Sequence, residues 1–419
     1  MKRLAVMRLA RRWLLRGAGA AALLAALAPV AAQTAEASFA LLETPDATAP
    51  RYRIGVEADL AAYPAWSDLE AATAKRAPMT RGSFVGAAGV KIHYRLYRHR
   101  AETRGGVVIV AGRTEGLVMY QELIRDLVAN GYSVYIADHR GQGFSQRLLT
   151  ADTTIGYVDD FERYVEDLAS FIAGPVRSAR AGNTRPLFLL AHSMGGAVSA
   201  LYLEQTGERS GIAAVALVTP MMAPWAAGAA DAGLVSKLAD AYCERYSVDT
   251  AGAGPLAEKY AEGGPFDEQY AAVLAAPPGT PNDLTHSALR FARHWQARHD
   301  ARCDGADCGS PHARVGGVSF RWFNQACVAS EKARGPDAAK ITVPVLLLQG
   351  GNDTVVKPTA QVEFCRHLND AHGKGYCIGR TVPQALHSVF IEADRYRIPA
   401  LQRVLGFFDC VHAGRARCE

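Results

Sequence analysis

The sequence has no cysteine before position 243 and no acidic residue before Glu36. It shows no internal repeat, which excludes solenoid and propeller architectures. Charged residues make up 21% of the chain against 49% hydrophobic residues, a balance that excludes a disordered chain and a polytopic membrane protein. No apolar run reaches membrane-spanning length. The most apolar stretch, GAGAAALLAALAPVAAQ, is short of the ~20 residues that a transmembrane helix needs. A charge excess is missing too. The formal net charge of +5 comes from Lys2, Arg3, Arg8, Arg11, Arg12 and Arg16. Without those six the chain has 40 basic against 41 acidic residues, a net charge of −1. Nucleic-acid binding requires a basic face, and the body of this chain suggests none.

What remains is a chain of 419 residues, enough for one large core or two ordinary ones. Its basic start, short apolar stretch and small residues have the form of a signal peptide over residues 1–32. Val30-Ala31-Ala32 satisfies the small-x-small rule, with cleavage after Ala32. Arg11-Arg12-Trp13 resembles a twin-arginine signal, so the expected export route is Sec or twin-arginine and the destination periplasmic or extracellular. An even set of eight cysteines in an exported chain favours disulfides. Cys303 with Cys308, Cys365 with Cys377, and Cys410 with Cys418 are local pairs, which leaves Cys243 with Cys327. His299, Cys303, Cys308 and His312 can also be written as a metal site. Their spacing matches no zinc pattern, and an oxidising compartment favours the disulfide.

Residues 33–80 lack clean periodicity and read as an N-terminal extension lying on the core. SFVGAAG followed by KIHYRLYR reads as a hairpin turning at Gly89. Strand and helix patterns then alternate. Short buried strands are expected at 106–112, 132–138, 186–193 and 212–220, with helices at 120–131, 159–172 and 195–205. From 221 to 340 no convincing buried strand occurs and the periodicity is helical. A strand at 341–351, a helix near 358–370, a strand at 376–383 and a helix at 394–409 close the chain. This order predicts an α/β fold with a mostly parallel central sheet, helices on both faces and a helical cap inserted at 221–340. The core is thereby divided into 81–220 and 341–419.

The most informative segment is Leu189-Leu190-Ala191-His192-Ser193-Met194-Gly195-Gly196. A buried strand ends in a serine and a small-residue helix follows at once, which is the setting of a nucleophile elbow. The usual motif is G-x-S-x-G, and here Ala191 stands at its first glycine. A nucleophilic serine needs a base and an orienting acid. QGGNDTVV offers Asp353 after one strand and PQALHSVF offers His387 after the last, both at strand carboxyl ends where active sites gather. Two backbone donors are needed for an oxyanion, one from Met194 and one from the loop after GVVIVAG, at Arg113.

These segments, with AGRTEGLVMYQELIRDLVANGY, IADHRGQGFSQRLL and ALHSVFIEADRYR, resemble the α/β-hydrolase superfamily, in particular its lysophospholipase and monoacylglycerol-lipase branch. THSALRFARHWQA and RVGGVSFRWF in the insertion resemble bacterial lysophospholipases. The resemblance covers roughly residues 83–410. It implies Ser193 as nucleophile, Asp353 as acid, His387 as base, and Met194 and Arg113 as oxyanion amides. Where the family often has His-Gly, this chain has Ala111-Gly112. The implied activity is cofactor-free, metal-free hydrolysis of a single-chain lipid ester, first a lysophospholipid, then a monoacylglycerol or a general carboxylic ester. The implied partner is the lipid substrate, with transient contact at a membrane surface, and no nucleic acid or protein partner is inferred.

Smaller expectations concern single residues. Arg140 is expected to be structural and His192 to pack beneath the elbow. The Arg113 side chain could meet a substrate phosphate or form a salt bridge, for instance to Glu115. Trp225, Trp295, Phe320, Trp322 and Phe323 could line an acyl groove or be plain core. Two other classes stay open. A peptidase acting at a free amino terminus would want an acidic cluster, for which Glu258, Glu262, Asp267 and Glu268 are available. A binding protein with a degenerate site is argued against by the intact Ser193, Asp353 and His387.

Overall fold

Short continuous apolar runs such as GGVVIV and VLLLQG form the central strands of one large sheet. In the computed structural model, residues 39–43, 51–224, 243, 256–277, 279–303, 305–415 and 418 are described. The expected signal peptide and Trp225 lie outside them. The hairpin strands are β1 (Met79–Val85) and β2 (Lys91–Tyr97), followed by β3 (Gly105–Val110) and β4 (Tyr132–Ala137). Next come β5 (Leu187–His192), β6 (Ala214–Val218), the short β7 (Tyr260–Glu262) and β8 (Val318–Ser319), then β9 (Val345–Gly350) and β10 (Cys377–Val382). The main sheet has the order β1-β2-β4-β3-β5-β6-β9-β10. β1 and β2 pair antiparallel, as do β2 and β4, and every later neighbour is parallel. β7 and β8 form a separate antiparallel ribbon inside the insertion. Strands of three and two residues are too short to be read from periodicity, so the purely helical expectation for that region missed them.

The helices are α1 (Trp66–Ala74), α2 (Gln121–Ala129), α3 (Glu162–Phe171), α4 (Met194–Thr206), α5 (Phe266–Ala275), α6 (Ala288–Asp300), α7 (Phe320–Arg334), α8 (Pro358–His372) and α9 (Asp394–His412). Side chains alternate across a strand, so each central strand feeds two cores. Val108, Leu189, Val215 and Leu347 face one layer, built on α3, α4, α7 and α8. Ile109, Leu190, Ala216 and Leu348 face the other, built on α2 and α9. Helices covering both faces explain why these strands read as continuous apolar runs. Helix α7 lies in the expected cap range, yet Trp322, Phe323, Ala326 and Ala329 are buried in the first core layer. These two aromatics are therefore core, not groove.

Within the expected N-terminal extension, the described residues 39–43 lie along a sheet edge. Leu42 N–H donates to Thr381 O at 2.7 Å and Thr381 N–H to Ala40 O at 2.9 Å, so the extension pairs with the outer strand β10. Covering an edge in this way removes a template for aggregation. The hairpin strand β1 begins at Met79, two residues before the expected boundary at 81. Disulfides join Cys243–Cys327, Cys303–Cys308, Cys365–Cys377 and Cys410–Cys418.

A buried ion cluster ties the insertion to the core. Arg290 on α6 donates from Nε and Nη2 to the two carboxylate oxygens of Glu122 on α2, both at 2.9 Å, and from Nη2 to Asp394 at 2.7 Å. Arg397 on α9 donates to Asp126 at 2.7 Å. Both guanidiniums are fully buried.

Candidate active site

The elbow is built by backbone constraint. Ser193 has φ +50° and ψ −119°, a conformation that L-residues rarely adopt and that persists only where the surroundings enforce it. Enforcement comes from both sides. Ser193 N–H donates to Val218 O at 3.1 Å on β6, and Met221 N–H donates to Ser193 O at 2.9 Å. The two glycines that follow let neighbouring backbone approach. A Cβ on Gly195 would lie 2.2 Å from Val110 O, and one on Gly196 would lie 2.4 Å from Pro220 Cβ. Small residues at these positions are thus a steric requirement of the turn.

The structure brings Ser193, His387 and Asp353 together. Ser193 Oγ–H donates to His387 Nε2 at 2.8 Å, and His387 Nδ1–H donates to Asp353 Oδ2 at 2.8 Å. Asp353 Oδ1 accepts from Val355 N–H at 2.8 Å and Val356 N–H at 3.2 Å, which fixes its orientation. The His387 carbonyl accepts from Thr219 Oγ1 at 2.8 Å and from His192 Nε2 at 3.3 Å. The base is therefore held by backbone as well as by its acid.

The loop after β3 carries Arg113 and is clamped by side chains. Gln142 accepts from Thr114 N–H at 3.0 Å and donates to Gly112 O at 3.0 Å and Glu115 O at 3.1 Å. Glu115 accepts from Gly112 N–H and from the Tyr120 hydroxyl. Among the described residues, the Arg113 N–H meets no backbone acceptor. The sequence reading assigns Gln142 no role. Its Gly-Gln-Gly setting in Asp138-His139-Arg140-Gly141-Gln142-Gly143 was the available signal.

Beneath the elbow, His192 Nδ1 lies 2.9 Å from Glu115 Oε1, an ion-pair contact away from the best hydrogen-bond direction. Burial alone would lower the His192 pKa, but the Glu115 carboxylate more than offsets this and raises it. Burial likewise pushes Glu115 up, and His192 together with the donors from Tyr120 and Gly112 brings it down to about 2. Glu115 is thus fully engaged here and is not the partner of Arg113. The Arg113 guanidinium pairs instead with Glu262 at 3.4 Å and lies 5.4 Å over the Trp322 ring. Arg140 is structural in form: its Nε and Nη2 donate to the two oxygens of Asp167, both at 2.8 Å.

A cavity of about 110 Å³ opens over Ser193 and His387, walled by Phe291, His294, Trp295 and Arg298 of α6 and by Arg113, Leu284 and Ile391 among others. Among the described members of the expected aromatic set, Trp295 lines it. Phe291, His294 and Arg298 had not been singled out. None of Glu258, Glu262, Asp267 and Glu268 lines the cavity. Asp267 pairs with Arg314 at 3.1 Å.

A family model described as serine aminopeptidase, S33 matches residues 101–394. The chain is 34% identical over 328 residues to lysophospholipase L2 of Escherichia coli strain K12, covering 76% of this chain and 84% of that protein. It is 26% identical over 326 residues to a probable lysophospholipase L2 of Haemophilus influenzae, covering 77% and 90%. Among solved structures, a soluble variant of monoglyceride lipase from Saccharomyces cerevisiae aligns with a TM-score of 0.58 at 17% identity, covering 80% of this chain and 95% of that one. A carboxyl esterase from Bacillus coagulans aligns with a TM-score of 0.57 at 17% identity, covering 80% and 99%. These two structures support the fold.

Proposed function

The chain belongs to the serine aminopeptidase S33 family of α/β-hydrolases, and within it we propose a carboxylic ester hydrolase that cleaves single-chain lipids, first among them lysophospholipids. The observation that carries the chemistry is the hydrogen-bonded chain from Ser193 Oγ through His387 to Asp353, each link 2.8 Å. The substrate class follows from the two lysophospholipase L2 relatives, whose similarity runs over three quarters of this chain.

The steps follow from the geometry. His387 Nε2 takes the proton as Ser193 Oγ attacks the ester carbonyl. Asp353 holds the Nδ1–H tautomer and stabilises the imidazolium that forms. The N–H groups of Met194 and Arg113 receive the developing oxyanion, with Gln142 and Glu115 holding the Arg113 loop in place. The alcohol leaves with the proton from His387, and water hydrolyses the acyl-serine by the same route in reverse. Between β6 and β9, α6 serves as the cap element that supplies a wall of the cavity. The four disulfides fit an exported protein, and the basic, apolar leader fits a signal peptide for the periplasm or beyond.

The family description raises an aminopeptidase as a second reading. A free amine needs a carboxylate in the cavity. Glu115 is the acid there, and it is spent on His192, Tyr120 and Gly112. The arginines of the wall, Arg113 and Arg298, favour an anionic or neutral substrate over a cationic amine.

The test is a matched panel of lysophosphatidylcholine, lysophosphatidylethanolamine, monoacylglycerol, a short p-nitrophenyl ester and an aminoacyl anilide, run beside Ser193→Ala. Fatty acid released from the lysolipids and lost in the variant is the expected result. Cleavage of the anilide alone would overturn the assignment.

A further inference from the structure

Buried guanidiniums in this protein are generally matched to carboxylates. Arg140 meets Asp167, Arg290 meets Glu122 and Asp394, and Arg397 meets Asp126. Arg298 is different. It is 5% exposed and lines the cavity over Ser193. Among the described residues no carboxylate comes within ion-pair range of it, and its hydrogen bonds are two long ones, from Nη1 to Thr114 O and Val315 O, both at 3.3 Å. Its Nε is buried without an acceptor. The aromatic rings of Trp295 and Phe266, at 4.1 and 5.3 Å, hold the guanidinium by its face and leave its edge for hydrogen bonding.

One helical turn away on the same face of α6 is His294, with both ring nitrogens buried and unpartnered. Burial lowers its pKa to about 3, so the imidazole is neutral and offers one donor and one acceptor. Burial also lowers Arg298, to about 10, which leaves it charged at neutral pH. The nearby anion that favours its charge, Glu115, is already engaged beneath the elbow. Among the described residues, the wall facing the nucleophile therefore holds a positive charge with no carboxylate in ion-pair range, beside an imidazole without a hydrogen-bond partner. Buried charges are stable when paired.

We propose that Arg298, assisted by His294, is the counter-charge for the phosphodiester of a lysophospholipid and sets the preference for that substrate over a neutral monoacylglycerol. The inference rests on the ester-hydrolase reading above. In a lysophospholipid the phosphate lies one glycerol unit from the scissile carbonyl, where a monoacylglycerol has a hydroxyl. Arg113 does not fill this role, because its guanidinium already pairs with Glu262.

The experiment measures kcat/KM for a lysophosphatidylcholine and a monoacylglycerol of the same acyl chain in wild type, Arg298→Met and Arg298→Lys. Loss of one charge-assisted contact should lower the lysophospholipid-to-monoacylglycerol ratio by about 10- to 100-fold in Arg298→Met, with Arg298→Lys between the two. A ratio that stays at the wild-type value in both variants would overturn the proposal. A second assay uses hydrolysis of a short p-nitrophenyl ester, inhibited by a non-hydrolysable alkylphosphocholine or by a neutral alkylglycerol ether. The proposal expects the phosphocholine inhibition constant to rise in the Arg298 variants by a larger factor than that of the ether, and equal factors refute it. If Arg298→Met does not fold, the lysine variant carries both assays. If wild type cleaves monoacylglycerol but no lysophospholipid, the substrate reading fails, while the inhibitor comparison still decides whether Arg298 receives a phosphate.

Discussion

Gly195→Ala should separate the two backbone donors of the oxyanion site. Gly195 is the second residue of α4, and a Cβ there would sit 2.2 Å from Val110 O and 2.5 Å from Ala111 O. Real Cβ contacts essentially never fall below 3.0 Å, so the elbow and the end of β3 must part by roughly 0.8 Å. Neither obstacle is a side chain that can rotate away, since both are main-chain carbonyls, one on the last residue of β3 and one on the residue after it. Met194 N lies just before the substituted residue, and Arg113 N lies just after the displaced segment. A misplacement of about 1 Å at a reacting centre costs on the order of 10²-fold in rate. Overpacking at such a site costs roughly 1–3 kcal/mol of stability, which leaves a folded protein. Hydrolysis of p-nitrophenyl butyrate would be followed with active sites counted by a fluorophosphonate, alongside circular dichroism and thermal unfolding. We expect kcat down by about 100-fold with the position of the pH profile unchanged, because the link from Ser193 to His387 is not the part that moves. A folded variant with kcat within threefold of wild type would refute the reasoning.

Asp353→Asn keeps the size of the side chain but loses the charge and the tautomer control, so kcat should fall by roughly 10⁴-fold with native unfolding behaviour; steady-state kinetics on the same ester checks it. Arg140→Met strands the buried Asp167 carboxylate and should cost about 3–5 kcal/mol in urea unfolding, whereas Arg140→Met combined with Asp167→Leu should recover much of that loss. The Glu115–His192 pair gives a pH signature. Glu115 is depressed from 4.5 to about 2, so its contribution is present above pH 4.5 and is lost as pH falls toward 2. His192 is raised above 6.5, so its contribution is present below pH 6.5 and is lost as pH rises through the raised value. Stability from the pair therefore peaks between those limits, and Glu115→Gln should flatten both limbs of the stability profile. Limbs identical to wild type in the variant would remove the pair from the argument.

The sheet was legible because its central strands are buried on both faces and so read as continuous apolar runs such as GVVIV and PVLLL. The order of Ser193, Asp353 and His387 was legible because each lies just past the carboxyl end of a strand, a position that periodicity locates well. Helix α6 defeated the same method. Its buried face is Arg290, His294 and Arg298, spaced by one turn each, while Leu289 is 38% exposed. A reading that sends arginine to solvent turns this helix inside out. Burial there is set by partners distant in sequence, Glu122 and Asp394 for Arg290 and the aromatic rings for Arg298. The partner of Arg113 was missed for a related reason. Glu115 is near in sequence but already committed to His192, and Glu262 lies inside the insertion, far along the chain.

The same ion cluster bears on how the site selects its substrate. Ser193, Asp353 and His387 come from three strand ends of the core, whereas the cavity wall with His294, Trp295 and Arg298 comes from α6. If α6 were a mobile lid, swinging it away would break the bidentate contact of Arg290 with Glu122 and its contact with Asp394. Those contacts dock α6 on α2 and α9 and hold the wall against the core. Recognition at this wall works through a charge already in place rather than one delivered by closure, and such preorganisation spares the site the ordering cost of assembling around each substrate.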